Sequence, residues 1–422
     1  MRRGPSVSAW YNIGPKWKRQ LRHDIKGGTP SMKPLIKYMA GLAVILALVA
    51  MFACRSEEPP APATGAATEP TTAAAPTDAM EATAAPAATD AVAGNNQGES
   101  RLDAVRARDK VICASRNDVP GYGFLDDNGN NVGFDIDLCR ALAAAVLGDP
   151  NKIEIRLITA AERGPTIQSG EVDMLVRTVT WTTSRDAQWG NYAQTMFYDG
   201  QGFMVRKDLG ISSALELHDA SVCVTLGTTT ELNLQDFSNQ NDLHIEVLTF
   251  EDTPAVVAAY ENEQCDAFTN DRSQLAALGT ALQNRADHVI LPETISEEPL
   301  GPVVPHGDDQ WFDIVKTVMG ILIYAEAYGV TSANVPTSAT GDTKVDRLMG
   351  LEGSFGQEPL ELDDTVAQNV INAVGNYGEI YSRNLGPEGI NLPRENGRNA
   401  LWANAPCQDC PKGGQIYAAP LR

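Results

Sequence analysis

The sequence predicts an α/β protein made of two similar lobes, and three observations predict it. From about Ser100 onward, short apolar runs alternate with helically spaced ones. The alternation breaks off and then resumes in the same order. One stretch of the second pass matches its counterpart in the first almost residue by residue. Strands separated by helices make parallel sheets, because a parallel crossover needs a helix-sized connection. Two such units imply two lobes, and two lobes imply a cleft.

The first strand is Val111-Ile112-Cys113-Ala114-Ser115. Phe134, Leu138, Leu142 and Ala145-Val146 then recur at helical spacing and stop at Gly148-Asp149-Pro150. Ile153 to Leu157 is a strand, Glu162 to Ser169 a short helix, and Asp173 to Val176 another strand. In the second pass Ser221 to Thr225 is a strand and Glu231 to Phe237 a helix. Ile245 to Phe250 is a strand, Pro254 to Glu263 a helix opened by Asp252-Thr253, and Cys265 to Thr269 a strand. The matching stretch runs from Ile153-Glu154-Ile155 to Ser169-Gly170-Glu171-Val172-Asp173. Its counterpart runs from Ile245-Glu246-Val247 to Asn262-Glu263-Gln264-Cys265-Asp266.

The residues before the folded part carry an address. Met32-Lys33-Pro34-Leu35-Ile36-Lys37 is basic, and Met39 to Ala53 is almost wholly apolar, which is the order of a secretory signal. The run ends at Met51-Phe52-Ala53-Cys54, as in a bacterial lipoprotein signal (32–54) whose lipidated residue would be Cys54. The alternative is an uncleaved membrane helix over Ile36–Cys54. Both readings put the rest of the chain outside the cytoplasm, tethered to a membrane. Residues 1–31 precede an ordinary signal start at Met32 and form an upstream extension without a reading of their own. Residues 55–99 are mostly Ala, Pro, Thr and Glu, too poor in large apolar groups to offset the entropy of ordering, so they read as a disordered spacer.

Charge excludes one class of partner. The chain has 33 Lys and Arg against 54 Asp and Glu; nine of the bases and one acid fall in residues 1–53, leaving 24 against 53 beyond them. So negative a surface repels phosphate backbones, and no nucleic-acid partner is expected. Besides Cys54 there are six cysteines, Cys113, Cys139, Cys223, Cys265, Cys407 and Cys410. In an exported domain they suggest three disulfides, although sequence alone allows fifteen pairings. Cys407 and Cys410 have the spacing of half a zinc site, but no second ligand pair stands near them, so no metal is expected.

Three local features suit a small ligand. Gly227-Thr228-Thr229-Thr230 follows a strand and opens a helix, whose free N–H groups and positive dipole end would attract a carboxylate. The same residues also fit a plain helix cap. Thr178-Val179-Thr180-Trp181-Thr182-Thr183-Ser184-Arg185 lies just past a strand end, where α/β proteins hold ligands, and Arg185 could fork a carboxylate. A surface Arg beside loop-capping threonines is the plainer reading. Asp271 ends the matching strand of the second unit and could hold an ammonium, or cap a helix starting at Ser273. Together these groups complement an α-amino acid zwitterion.

At this point a family is recognisable. Residues 101–422 resemble the general L-amino-acid-binding proteins of ABC importers, in the periplasmic binding-protein superfamily. The resemblance rests on Gly133-Phe134-Asp135-Ile136-Asp137-Leu138-Cys139-Arg140-Ala141, on Tyr198-Asp199-Gly200-Gln201-Gly202-Phe203-Met204-Val205, and on Gly227-Thr228-Thr229-Thr230-Glu231-Leu232. Glu298-Pro299-Leu300-Gly301-Pro302, Gly307-Asp308-Asp309-Gln310-Trp311-Phe312 and Asn372-Ala373-Val374-Gly375-Asn376-Tyr377-Gly378-Glu379 continue it. It implies a type II fold with mainly parallel sheets flanked by helices and a two-segment hinge near Tyr198–Gly202 and Pro299–Val303. Lobe 1 would be 100–198 with 303–422, and lobe 2 would be 199–302.

The resemblance also implies roles. Arg185 would clamp the ligand carboxylate with Thr180 and the N–H of Thr229, Asp271 and the Thr178 carbonyl would take the ammonium, and Thr230 would add a polar contact. Ala160 and Val119 stand where narrower relatives place an aromatic ring, which implies a roomy pocket and broad specificity. Arg116 and Arg177 are candidate partners for a charged side chain. The expected partners are a free L-amino acid, an ABC permease and a membrane, and the protein would act as a monomer without a cofactor.

The rival functions are an enzyme on the same fold, such as an amino-acid-like dehydratase, and a sensing domain of a receptor. The enzyme would need an acid or base against the ligand, and none of the five His residues (His23, His218, His244, His288, His306) falls in these motifs. The receptor would continue into a membrane helix beyond Tyr417-Ala418-Ala419-Pro420, which this sequence does not. Cys113–Cys139 in the first lobe and Cys223–Cys265 in the second are the expected disulfides, each joining a lobe's opening strand to a neighbouring element, with Cys407–Cys410 as a third.

Overall fold

The computed structural model describes residues 100–394, 397–403 and 413–422, all within one unit, Asp90–Arg422. The expectations for residues 1–99, Cys54 included, and for Cys407 and Cys410 lie outside the described residues.

Two five-stranded sheets carry the fold. The first has the order Ile153–Leu157, Val111–Ser115, Met174–Leu175, Val303–Val304, Asn191–Tyr192. The second has the order Glu246–Phe250, Ser221–Thr225, Ala267–Asp271, Gln201–Arg206, His288–Ile290. In each sheet the three strands expected from the sequence are parallel, with Val111 opposite Ile153 in one and Ser221 opposite Glu246 in the other. The two remaining strands of each sheet run antiparallel to this set or to one another. They lie just before and just after two strands that pair separately, Phe197–Asp199 with Glu298–Leu300, Tyr198 facing Pro299. The chain passes between the lobes along this pair, so the edge strands take the directions that leaving and returning impose.

The helix Phe134–Leu147 shows why the Gly133-Phe134-Asp135-Ile136-Asp137 string is needed. It packs on the first sheet and against helices Asp309–Ala327 and Val366–Val374. Covered on both sides, it is alanine-rich, since small side chains let neighbouring backbones approach. Gly133 opens it at φ 132°, where an added Cβ would stand 2.2 Å from the Tyr122 carbonyl oxygen, so only glycine fits. Asp137 accepts hydrogen bonds from Arg383 (2.9 Å) and Asn384 (2.6 Å), fastening the C-terminal helix Tyr377–Asn384.

Cys113 is bonded to Cys139 and Cys223 to Cys265, as expected, each bridge fully buried within its lobe. Farther on, the C-terminal segment reaches the first crossing strand. The Asn399 amide bonds both the N–H (2.6 Å) and the carbonyl (3.0 Å) of Tyr198. Arg398 donates to the Asp199 carbonyl at 3.1 Å and pairs with Glu297.

Candidate functional site

A narrow cavity of about 30 Å³ lies between the lobes, at the C-terminal ends of the parallel strands of both sheets. Thr178, Thr180, Thr229, Thr230 and Asp271 line it, and so do Ala160, Arg116 and Arg177. The chain exits from Met174–Leu175, Ser221–Thr225 and Ala267–Asp271 all open there, so local strand ends far apart in sequence meet at one place.

The first lobe supplies the cations. Thr178 holds a left-handed backbone at φ 45°, rare for a residue branched at Cβ. Its N–H is fixed by the Asp135 carboxylate at 2.8 Å. Burial pushes that carboxyl up to about 7, against the pull of the Thr178 bond and the nearby Arg116 and Arg177. Arg116 is fully engaged, with Asp118 at 2.6 Å, Thr178 Oγ1 at 3.2 Å, and Gln274 (3.0 Å) and Thr253 (2.7 Å) across the cleft. Thr182 caps the short helix Thr183–Gln188, which carries Arg185 inward. The Arg185 guanidinium donates to the Thr180 carbonyl at 3.2 Å and lies 4.7 Å from the Trp189 ring centre. Tyr192 donates to the same carbonyl at 2.8 Å. Burial lowers the Arg185 pKa below its ordinary value.

The second lobe and the crossing strands supply the acids. Asp271 precedes the helix Arg272–Gly279, yet its side chain makes no cap bond; it accepts only from Gln274 Nε2, at 2.7 Å. The helix-cap reading of Asp271 therefore fails, and its buried carboxylate has no cation bound to it among the described residues. Burial, then the neighbouring Asp199 and Glu298, hold its carboxyl well above the usual range. Asp199 is also raised, chiefly by burial, and accepts from Ser273 and the Gly200 N–H. The helix Thr229–Gln240 begins two residues earlier than its apolar spacing suggested. Thr228 is its cap, accepting from the Glu231 N–H at 3.1 Å, and Thr229 and Thr230 of the first turn, whose N–H groups have no partner within the helix, line the cavity. The Thr229 hydroxyl lies 3.3 Å from that of Thr180 and donates to Glu298 at 3.1 Å, joining the two walls.

Five of the six ligand candidates thus share one cavity. Arg185 is buried beside it, behind Thr180, and is not part of its lining. Val119 does not line it either: it is fully buried in the first lobe's core on the short strand Asp118–Val119, whose side chains alternate faces. Arg163 was missed. It opens the helix Arg163–Gln168 and lines the cavity, donating to the Ala160 carbonyl (2.8 Å) and, across the cleft, to the Gly227 carbonyl (3.1 Å). Its signal was its place: it follows the end of strand Ile153–Leu157, on the same sheet edge as Thr178.

Residues 111–331 match the family described as bacterial extracellular solute-binding proteins, family 3. Over 336 residues the chain is 45% identical to the general L-amino acid-binding periplasmic protein AapJ of Rhizobium johnstonii, covering 79% of this chain and 96% of that one. It is 44% identical to the glutamate/glutamine/aspartate/asparagine-binding protein BztA of Rhodobacter capsulatus, with the same coverage. Among solved structures it is similar to an ABC transporter periplasmic binding protein from Brucella ovis with glutathione bound. That match has a TM-score of 0.71 and 41% identity, over 77% of this chain and 100% of the other.

Proposed function

The chain belongs to the bacterial extracellular solute-binding proteins of family 3 and has their two-lobed type II fold, and on that premise we propose that it captures free L-amino acids between its lobes and passes them to an ABC importer. One observation carries the reading: the cavity has guanidiniums on its first-lobe wall and, on the other, the buried Asp271 carboxylate with no cation bound to it among the described residues. A zwitterion matches that polarity, with its carboxylate toward Arg185 and the Thr229 N–H and its ammonium toward Asp271 and the Thr178 carbonyl. The names of AapJ and BztA support the same ligand class.

The grips come from both lobes, so the ligand favours the closed arrangement through contacts that an open one lacks. Lobe 1 is 100–198 with 303–422, lobe 2 is 199–302, and the crossing pair Phe197–Asp199 and Glu298–Leu300 is the hinge. Because the zwitterion does the anchoring, many side chains are accepted. The ligand leaves unchanged; the groups around it hold charge in place rather than move protons. Thermal-shift measurements against the twenty L-amino acids and their α-amides test this. Several acids are expected to raise the melting temperature and the α-amides to leave it unmoved; equal shifts from the amides would sink the zwitterion site.

We place the protein outside the cytoplasm as a monomer, held to a membrane through Cys54 and meeting its permease there. No helix among the described residues is long and apolar enough to cross a membrane, so this tether rests on residues 32–54. In a bacterial host with lipoprotein processing, Cys54→Ser is expected to release the protein from the membrane fraction. Retention of that variant would favour the uncleaved helix.

A further inference from the structure

The two crossing strands form a ribbon, and the C-terminal segment closes one edge of it. In a two-stranded antiparallel pair alternate backbone groups face outward, away from the partner strand. At Tyr198 both outward groups are taken by the Asn399 amide, which accepts from the N–H at 2.6 Å and donates to the carbonyl at 3.0 Å. A carboxamide has one face with a donor beside an acceptor, so Asn399 stands in for a third strand. Residues 397–403, which carry it, lie beyond the 111–331 shared with the family. The same segment is fastened to both lobes. On the first, Arg394 donates to the Asn399 carbonyl and to Glu326, each at 2.8 Å, with its guanidinium 4.7 Å from the Tyr377 ring centre. On the second, Arg398 donates to the Asp199 carbonyl at 3.1 Å and pairs with Glu297. Glu297 moves with lobe 2, because the Ile295 N–H donates to the Gln201 carbonyl at 3.0 Å and the Gln201 N–H to Ser296 Oγ at 3.2 Å. All these bonds are made while the lobes touch directly across the cleft, Arg116 on Gln274 and Arg163 on the Gly227 carbonyl.

We propose that Arg398 and Asn399 form a strap behind the hinge that favours the closed arrangement, which makes Arg398 a positioning residue for ligand capture although it does not line the cavity. Opening turns one lobe against the other about the ribbon, and hydrogen bonds tolerate only small changes of distance and angle. The strap reaches lobe 1, the ribbon and lobe 2 with every bond satisfied in the closed arrangement, so opening must stretch the outermost one, from Arg398 to Glu297. A ligand that needs the closed form binds more tightly as the closed fraction rises. The pair is exposed, 38% at Arg398 and 82% at Glu297, so its effect is modest and falls with salt.

Calorimetry of the full chain with several L-amino acids, and small-angle X-ray scattering without ligand, test this. Arg398→Glu sets like charges against each other at Glu297. It is expected to weaken all ligands by one common factor, roughly threefold to tenfold, and to expand the unliganded protein. Combining Arg398→Glu with Glu297→Arg restores the attraction in reverse and should recover most of the affinity. Raising the salt concentration should shrink the difference between the parent and Arg398→Glu. A purely structural role would lower the unfolding midpoint yet leave the exchanged pair no better than the single variant. Unchanged affinity and scattering in Arg398→Glu, tighter binding by it, or a loss that the exchanged pair does not restore would overturn the proposal. If no amino acid binds the parent protein, the amino-acid reading fails by itself, and scattering from the same three proteins still decides the strap.

Discussion

Replacing Arg185 or Asp271 by alanine is expected to weaken every L-amino acid by roughly 2–5 kcal/mol, about thirtyfold to several thousandfold. Each removal leaves a ligand charge desolvated without its partner, which costs more than the pair contributes. The loss should be common to all ligands, while changes at Ala160, which lines the cavity, re-rank them. Asp271 adds a pH signature. Its carboxyl is raised well above the usual range by burial, then by Asp199 and Glu298. An ammonium needs it ionised, so below its raised pKa ligand binding must release a proton. Affinity should then rise with pH until Asp271 is ionised in the free protein, and level off above that. Titration calorimetry in two buffers of different ionisation enthalpy reads both effects. Unchanged affinity in Arg185→Ala, or no proton release at mildly acidic pH, would contradict the assigned roles.

Removing either disulfide as a pair of alanines is expected to destabilise the protein by about 3–4 kcal/mol. The bridges span 26 and 42 residues, so each restricts the unfolded chain substantially. Cys113–Cys139 ties the strand Val111–Ser115 to the helix Phe134–Leu147, and Cys223–Cys265 ties the strand Ser221–Thr225 to the turn before the strand Ala267–Asp271. Because each closes within one lobe, its loss should lower the unfolding midpoint while leaving the ranking of ligands as it was. Urea unfolding of the two double variants, with and without ligand, tests this. A variant as stable as the parent would contradict it, and peptide mapping that joined Cys113 to Cys223 would contradict the separation into lobes.

Much of this was legible without coordinates because it is local or periodic. The parallel core of each sheet followed from alternating runs, and Gly148 and Asp252 marked helix ends where their backbone and side chains do so in the structure. The antiparallel edge strands were not legible: Asn191–Tyr192 and Val303–Val304 have two residues each, too few to show a period. Whether Asp271 caps a helix was equally open, since the same residue types serve both ends, and only its bond to Gln274 decided it.

The sequence by itself determined two α/β units and the strand-end residues Thr178, Thr180, Thr229, Thr230 and Asp271 that share the cavity, whereas it only favoured, among fifteen possible pairings, the two disulfides that the structure holds. Only the tertiary structure decided that Arg163 joins Arg116 and Arg177 there, that Arg185 waits behind Thr180, and that Val119 turns into the core. The physical reason is that strand ends and caps are set by neighbours in the chain, whereas charge balance in a cleft is a sum over segments brought together by the fold. Arg163 and Gly227 stand 64 positions apart, and Arg116 and Gln274 stand 158 apart; no local pattern records that they meet.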